Sequence, residues 1–181
     1  MARLLAALLL AVVAGCSTAP APPASPSGPL GARIGPAAPT GSTETARVLT
    51  IVDGDTIRVD RGNGSERVRY IGIDTPETRQ PGDSIEFMGE EATEANRALV
   101  EGREVFLERD VSETDRFGRL LRYVWIRDGD GWLFVNLALV QRGFAQAVTF
   151  PPDVRHADAF LAAERDAADA GRGLWADPAV P

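Results

Sequence analysis

The sequence of 181 residues contains no lysine, a single cysteine and a single histidine. One cysteine cannot form a disulfide within the chain, so a disulfide-stabilised framework is excluded. A zinc site built from Cys and His ligands is excluded as well. A mechanism that needs a histidine general base could use only His156. Any catalysis is therefore expected to depend on carboxylates, arginines and a hard metal ion.

Positive charge is carried by arginine alone, with 19 basic residues against 26 acidic ones and a formal net charge of −7. A codon bias toward arginine is enough to explain the missing lysine, although selection for bidentate phosphate contacts would have the same result. The acidic balance argues against tight, non-specific binding to duplex nucleic acid, which needs basic patches. It does not exclude an enzyme that contacts a few phosphates briefly.

The first sixteen residues have the features of an export signal. Arg3 precedes an apolar run of 11 residues, 4–14, which is too short to span a bilayer because a span needs about 20 residues. The run ends in Val13-Ala14-Gly15-Cys16, which is similar to the lipobox of bacterial lipoproteins. Cleavage before Cys16 and lipidation of its thiol would anchor the exported chain to the cell membrane or the outer membrane. The alternatives are a cleaved signal with an incidental cysteine and a cytosolic protein whose N-terminal helix is buried.

Aromatic residues and prolines divide the rest of the chain. Seven prolines lie among small residues in 17–43, which predicts a disordered linker. All twelve aromatic residues lie between Tyr70 and Trp175, so the hydrophobic core must be built from the later part of the chain. We therefore expect one domain at 44–177 and a short tail at 178–181.

Hydrophobic periodicity indicates the elements of this domain. Strands are predicted at 46–52, 56–60, 66–73, 104–108 and 118–126. Helices are predicted at 89–101, 133–142 and 153–170. The segment Asp128-Gly129-Asp130-Gly131 is predicted to be a hairpin turn, because an EF-hand loop would need a closing Glu that is missing. Five strands with helices added afterwards predict an α+β fold, a five-stranded OB-fold β-barrel with about three helices.

Two acidic segments lie next to predicted strands: Asp53-Gly54-Asp55 and Asp74-Thr75-Pro76-Glu77. Each alone is an ordinary turn or strand exit. If strands 56–60 and 66–73 are antiparallel neighbours, however, Asp55 begins one and Asp74 ends the other, and their carboxylates meet at one rim of the barrel. Like charges that close repel unless a cation intervenes. Calcium suits such a site because it binds carboxylate and carbonyl oxygens in a flexible shell.

Two arginines accompany these carboxylates. Arg69 lies five residues before Asp74, an odd separation that would place the two side chains on opposite faces of a regular strand. A bulge or bend is therefore needed if both serve one site. Arg119 follows a predicted turn, and it is either a surface residue or a planar, permanently charged donor for a phosphate.

Taken together, three segments resemble the signature segments of the thermonuclease (staphylococcal-nuclease-like) family. They are Val52-Asp53-Gly54-Asp55-Thr56, Val68-Arg69-Tyr70-Ile71-Gly72-Ile73-Asp74-Thr75-Pro76-Glu77-Thr78 and Thr114-Asp115-Arg116-Phe117-Gly118-Arg119. The segments at 136–145 and 173–175 are also similar to the family. The resemblance covers about residues 47–176, which is essentially the whole predicted domain, and it is what places Arg69 beside Asp74.

The resemblance also implies a role for each residue of the predicted site. Asp55 and Asp74 would bind calcium directly, Thr75 would add its backbone carbonyl, and Asp53 would act through water. Glu77 would position or deprotonate the attacking water. Arg69 and Arg119 would hold the scissile phosphate and stabilise the charge that develops on it.

The function implied is a calcium-dependent nuclease that cuts DNA and RNA with low sequence preference and leaves 3′-phosphate ends, and we expect a monomer. The alternative is a non-catalytic module of the same fold that binds nucleic acid or protein, or a lipoprotein scaffold. Retention of Asp55, Asp74 and Glu77 favours the enzyme. Two departures from the family are Phe117, where members often carry Tyr, and an acidic average surface in place of a lysine-rich one.

Overall fold

The computed structural model of the chain describes residues 35–62, 64–78 and 86–176. The predictions for the export signal at 1–16 with Cys16, for linker residues 17–34 and for the tail at 178–181 lie outside the described residues. Within the described part of the chain, no helix has the length and apolar character needed to cross a membrane.

The domain contains eight strands and three α-helices among the described residues. The strands are β1 (Thr43–Ile51), β2 (Thr56–Asp60), β3 (Ser65–Tyr70), β4 (Ile73–Asp74), β5 (Glu104–Glu108), β6 (Leu120–Asp128), β7 (Gly131–Phe134) and β8 (Gln146–Ala147). The helices are α1 (Gly89–Val100), α2 (Val135–Gln141) and α3 (Ala157–Asp169), and a short 3₁₀ helix follows at Gly173–Ala176.

Five of the strands close into a barrel. Their order is β3-β2-β1-β5-β6, with antiparallel pairing throughout. The barrel closes where β3 pairs in parallel with β6, so these five strands present no free edge between β3 and β6. β7 extends the sheet beyond β6, and β4 pairs separately with β8. The predicted α+β fold, a five-stranded OB-fold barrel with about three helices, is confirmed.

The core fills the barrel and the space beneath the helices. Residues of alternating positions on the barrel strands, such as Ile57, Val59 and Val68, are fully buried. α2 packs between α3 and β6, which explains why its residues 135–140 are all buried. α3 contributes Phe160 and small alanines at helical spacing to the same core.

Six of the eight predicted elements differ from the structure by one to four residues at an end, whereas β2 and β5 match. The predicted helix at 133–142 begins at Val135 instead, because Leu133 and Phe134 are held extended by pairing with β6. The predicted helix at 153–170 begins at Ala157, since the carboxylate of Asp153 accepts two backbone N–H groups from the loop at 111–112. The predicted strand at 66–73 ends at Tyr70.

A buried carboxylate joins the start of the domain to the barrel. Glu108 at the end of β5 is fully buried. Its Oε1 accepts hydrogen bonds from Thr40 N–H and Oγ1 (3.0 Å each), Gly41 N–H (2.7 Å) and Arg155 Nη1 (3.0 Å). Its Oε2 accepts one from Trp125 Nε1 at 2.8 Å. The end of the predicted linker is thus attached to the barrel, and β1 already begins at Thr43.

The environment of Glu108 favours its ionised form. Burial by itself raises the pKa of Glu108, but the neighbouring His156 and the hydrogen bonds from Gly41, Thr40 and Trp125 outweigh burial and lower the pKa to about 2. The pKa in the folded chain is therefore below that of an unfolded Glu, for which the usual value is about 4.3. Such a group stabilises the folded state above its unfolded pKa, and this contribution is lost as pH falls toward the folded pKa.

We expect the Glu108→Gln chain to be less stable than the wild type by about 3 kcal/mol at neutral pH. The stabilisation that lowers the pKa of Glu108 from about 4.3 to about 2 is lost, and an NH₂ group replaces one of the two acceptor oxygens. The difference in unfolding free energy between wild type and variant should shrink as pH falls from about 5 toward 2. Urea unfolding of both chains across this pH range measures it. A difference that stays constant with pH would contradict the stabilising role of the ionised carboxylate.

Candidate active site

The turn between β1 and β2 presents the first acidic segment. The backbone N–H groups of Val52 and Asp53 both donate to the carbonyl of Thr56, and Asp55 N–H donates to Asp53 Oδ1 at 3.1 Å. A Cβ on Gly54 would lie 2.7 Å from Thr75 Oγ1. Glycine at this position therefore allows the two acidic segments to approach each other.

A sharp bend follows β3, and it is the bend that the spacing of Arg69 and Asp74 required. The strand ends at Tyr70, turns at residues 71–72, and continues as β4 in the other sheet. Gly72 has a φ of +81°, a conformation that L-residues with side chains rarely adopt, and a Cβ there would overlap the ring of Phe160. The bend turns Asp74 back toward Arg69.

Arg69 lies between the two carboxylates. Its Nη2 donates to Asp74 Oδ1 at 2.6 Å, and its Nε lies 3.1 Å from Asp55 Oδ1. Its Nη1 donates to the carbonyls of Tyr70 and Ile73, each at 2.7 Å. The guanidinium therefore has a fixed orientation at the rim, where its charge offsets part of the repulsion between the two carboxylates.

The two aspartates differ in exposure. Asp55 is buried, and its Oδ2 accepts hydrogen bonds from Thr75 N–H at 3.0 Å and from Thr75 Oγ1 at 3.2 Å. Its Oδ1 accepts one from Thr56 Oγ1 at 3.1 Å. The side chain of Asp74 is 57% exposed. The site thus combines one rigid carboxylate with one that faces solvent.

Three carboxyl groups of the rim, those of Asp53, Asp74 and Glu77, have raised pKa values. Burial, and after it the charge of Asp55, raise the pKa of Asp53 to about 6. Burial raises the pKa of Asp74, although Arg69 opposes the shift. The pKa of Glu77 is also raised by burial and then by the charges of Asp55 and Asp74. Negative charge therefore exceeds what Arg69 neutralises, which is a condition that favours cation binding.

Glu77 has a fixed backbone and an exposed side chain. Its N–H donates to Glu86 Oε2 at 2.9 Å, and its carbonyl accepts the N–H of Glu86 at 3.1 Å. α1 begins close behind it, where a Cβ on Gly89 would lie 2.9 Å from the Glu77 carbonyl oxygen. The backbone of Glu77 is therefore fixed beside the rim, and its side chain is open to solvent.

Arg119 is presented by the turn before β6. Asp115 Oδ1 accepts the backbone N–H groups of Phe117 and Arg119, both at 2.9 Å, and its Oδ2 accepts Arg119 Nε at 2.6 Å. Arg119 lines an open cavity of about 450 Å³ together with Arg69 and the exposed Phe117 and Phe150. The two predicted phosphate-binding arginines thus border one cavity beside the acidic rim.

The donor set suits a hard divalent cation, although the described residues include no group of three or more Asp, Glu, His or Cys side chains arranged to hold a metal ion. The two carboxylates of Asp55 and Asp74 face one rim, and Thr75 lies between them in contact with Asp55. Carboxylate and carbonyl oxygens completed by water are ligands that calcium accepts. The residues predicted to bind calcium therefore fit the ion by their chemistry.

One residue that supports the site was not predicted. Asn96 on α1 is fully buried. Its Nδ2 donates to the carbonyl of Asp53 at 3.0 Å, and its Oδ1 accepts the hydroxyl of Tyr70 at 2.8 Å. Asn96 thereby ties the first acidic segment and the end of β3 to the helix. A polar residue beside the apolar positions of the predicted helix was the available signal, since buried polar side chains are normally hydrogen-bonded.

Comparison of the sequence with known proteins identifies a family for this chain. The family model described as "Staphylococcal nuclease homologue" matches residues 67–177. The chain belongs to this family. The family match includes Arg69, Asp74, Thr75, Glu77 and Arg119, whereas Asp53 and Asp55 precede it.

Individual staphylococcal nuclease homologues agree with this assignment. Thermonuclease of Staphylococcus hyicus is 33% identical over 134 residues, which cover 74% of this chain and 77% of that protein. Thermonuclease of Staphylococcus intermedius is 33% identical over 132 residues, covering 73% and 76%. Endonuclease YncB of Bacillus subtilis (strain 168) is 35% identical over 126 residues, covering 68% and 58%. The predicted membership of the thermonuclease-like family is confirmed, and the family is one of nucleases.

Proposed function

We propose that this chain is an exported, membrane-anchored, calcium-dependent nuclease that hydrolyses DNA and RNA with low sequence preference and leaves 3′-phosphate ends. One observation carries the proposal. A single rim brings together Asp55, Asp74 and Arg69, with Glu77 beside them and Arg119 across one cavity. Carboxylates for a cation and a base, next to two guanidinium groups for an anion, are what phosphodiester hydrolysis requires.

Calcium would be held by the carboxylates of Asp55 and Asp74 and by the carbonyl of Thr75, with Asp53 acting through a water molecule. Bound there, calcium would supply Lewis-acid polarisation and partial neutralisation of the phosphate. The hydrogen bonds from Thr75 to Asp55 keep the buried ligand in place, so that less ordering is left to the moment of binding.

The protein side chains would divide the remaining work. Glu77 accepts a proton from the attacking water, a role that suits an exposed carboxylate with a raised pKa. Arg69 and Arg119 donate to the phosphate oxygens. Arg119 can make two parallel hydrogen bonds through its guanidinium, whereas Arg69 has one N–H of Nη2 left beside its contacts with Tyr70, Ile73, Asp74 and Asp55. Asp115 orients Arg119 through its contact with Nε, which leaves the terminal nitrogens for the phosphate.

Export and attachment form a separate part of the proposal, supported by Arg3, the apolar run 4–14 and Cys16. We expect replacement of Cys16 by Ser to release the protein from the membrane fraction, because the lipid-bearing thiol is lost. Fractionation of cells that express either chain measures this. Retention of the Cys16→Ser protein in membranes would contradict a lipid anchor at this residue.

A non-catalytic binding module of the same fold is the second candidate. The acidic average of the sequence argues against tight binding of nucleic acid, so it favours a protein as the partner of such a module. The retained carboxylates favour the nuclease. The two functions differ in whether the substrate is cut.

Incubation of the chain with calcium and with matched single-stranded DNA and RNA oligonucleotides distinguishes the candidates. We expect both to be cut at many positions, with 3′-phosphate termini identified by the mass of the products. Oligonucleotides that are bound but remain intact would support the binding module. Products with 5′-phosphate ends would show that a different P–O bond is broken.

A further inference from the structure

The outer face of the β2–β3 hairpin carries a row of arginines that leads away from the rim. Arg58 on β2 and Arg67 on β3 are directly opposite each other in the register of the two strands. Both side chains are exposed. Arg69 lies two positions beyond Arg67 and so on the same face of β3, about 7 Å further along the strand. The row therefore begins at the guanidinium that lies between Asp55 and Asp74.

This arrangement of charge is unfavourable in the protein alone. Directly opposite residues of an antiparallel pair have Cβ atoms about 5 Å apart, and like charges in such a pair are destabilising. Within the part of the chain that the structure describes, neither Arg58 nor Arg67 forms an ion pair. The contact found for Arg67 is a long one of 3.5 Å from Nη2 to the carbonyl of Phe117.

Arg61 at the end of the same hairpin shows the opposite arrangement. It forms ion pairs with Glu44 and Glu66. Asp60, which shares the face of Arg58, accepts the backbone N–H of Gly62 at 2.7 Å. Carboxylates thus neutralise Arg61 at the closed end of the hairpin. They leave Arg58 and Arg67, which lie nearer the rim, without an ion pair among the described residues, although the chain has a net charge of −7.

We propose that Arg58 and Arg67 bind backbone phosphates of a single-stranded nucleic acid next to the phosphate held at the rim. This inference rests on the proposed nuclease function. A backbone phosphate bound by each guanidinium would offset their repulsion and use donors that are free on the exposed face. The distance of about 7 Å between Arg67 and Arg69 along β3 is similar to the distance between adjacent phosphates in an extended nucleic-acid strand. A flexible single strand can follow this row across a curved barrel, whereas a duplex needs a broader basic surface.

The double variant Arg58→Gln/Arg67→Gln tests the row in the full chain. The matched control is Arg97→Gln/Arg165→Gln, which removes the same charge from helices α1 and α3. Binding of a fluorescent single-stranded DNA of about 20 nucleotides, longer than the ~4–16 that one such barrel covers, is measured with a chelator present. Fluorescence anisotropy at several salt concentrations gives the dissociation constant and its salt dependence.

We expect the double variant to bind about 3- to 10-fold more weakly at low salt. The slope of log K against log salt should become shallower by about 1.4, because each single-strand phosphate contact contributes roughly 0.7. The control pair should leave the slope near the wild-type value. An unchanged slope in the double variant, or an equal change in both pairs, would overturn the proposal.

Kinetics with calcium separate this inference from the proposed function. For the long oligonucleotide we expect a raised KM and an unchanged kcat in the double variant, and no change for a dinucleotide with one phosphodiester bond. An equal loss of activity on both substrates would show that the substitutions disturb the rim itself. It would contradict phosphate binding by Arg58 and Arg67. If the wild-type chain cut neither substrate, the nuclease proposal would fail, and the salt slope would still decide whether Arg58 and Arg67 bind phosphates.

Discussion

Replacing Glu77 with glutamine is expected to lower kcat for nucleic-acid cleavage by about 10²- to 10⁴-fold, the usual contribution of a general base. The amide keeps the size of the side chain but cannot accept the proton of the attacking water. The backbone at this position is held by Glu86 and lies against Gly89, so the substitution should leave the backbone of residue 77 in place. KM should change much less than kcat, because the group acts on the reacting water and not on substrate binding.

Glu90→Gln is a matched control, since Glu90 is an exposed carboxylate in the first turn of α1. It removes the same charge near the rim without removing the proposed base. We expect its kcat to remain close to that of the wild type. Steady-state kinetics on one labelled oligonucleotide compare the three chains. Equal kcat values in wild type and Glu77→Gln would contradict the assignment of Glu77 as the base.

Much of the barrel could be predicted from the sequence, because the strand pattern is local. The bounds of β2 and β5 agree with the predicted strands at 56–60 and 104–108. The start of α2 could not be predicted in the same way, because the apolar residues 133–134 fit equally well in a helix and in a strand. Their pairing with β6 decides the outcome, and tertiary contacts commonly override local preference in this manner.

The site was predicted less from periodicity than from the joint presence of its motifs. The regular alternation of a strand predicts that Arg69 and Asp74 lie on opposite faces. The bend at Gly72 brings the two side chains together. Glycine at such a position is a signal for unusual backbone, but it does not specify the direction of the turn. The family resemblance supplied that information.

Contacts between residues distant in sequence were beyond prediction. Asn96 reaches Asp53 across 43 positions, and Glu108 reaches Thr40 across 68. Neither partner carries a pattern that points to the other. The roles of Asp55, Thr75 and Arg119 in binding calcium and phosphate stay predictions that the geometry supports.

Calcium withdrawal tests the assignment of this rim as a phosphodiester-cleaving centre most directly. A Lewis acid contributes several kcal/mol to transition-state stabilisation, so its loss should lower the rate by at least about 10³-fold. Cleavage of a labelled single-stranded oligonucleotide is followed first with a chelator, then after excess calcium is restored. The Asp55→Asn chain is measured alongside, because loss of the buried carboxylate should raise the calcium concentration needed for half-maximal rate.

We predict that cleavage stops with the chelator, returns with calcium in the wild type, and returns only at higher calcium in Asp55→Asn. Cleavage that continues at full rate in the chelator, or calcium binding by the wild-type chain without any cleavage, would contradict a calcium-dependent nuclease at the rim formed by Asp55, Asp74 and Arg69.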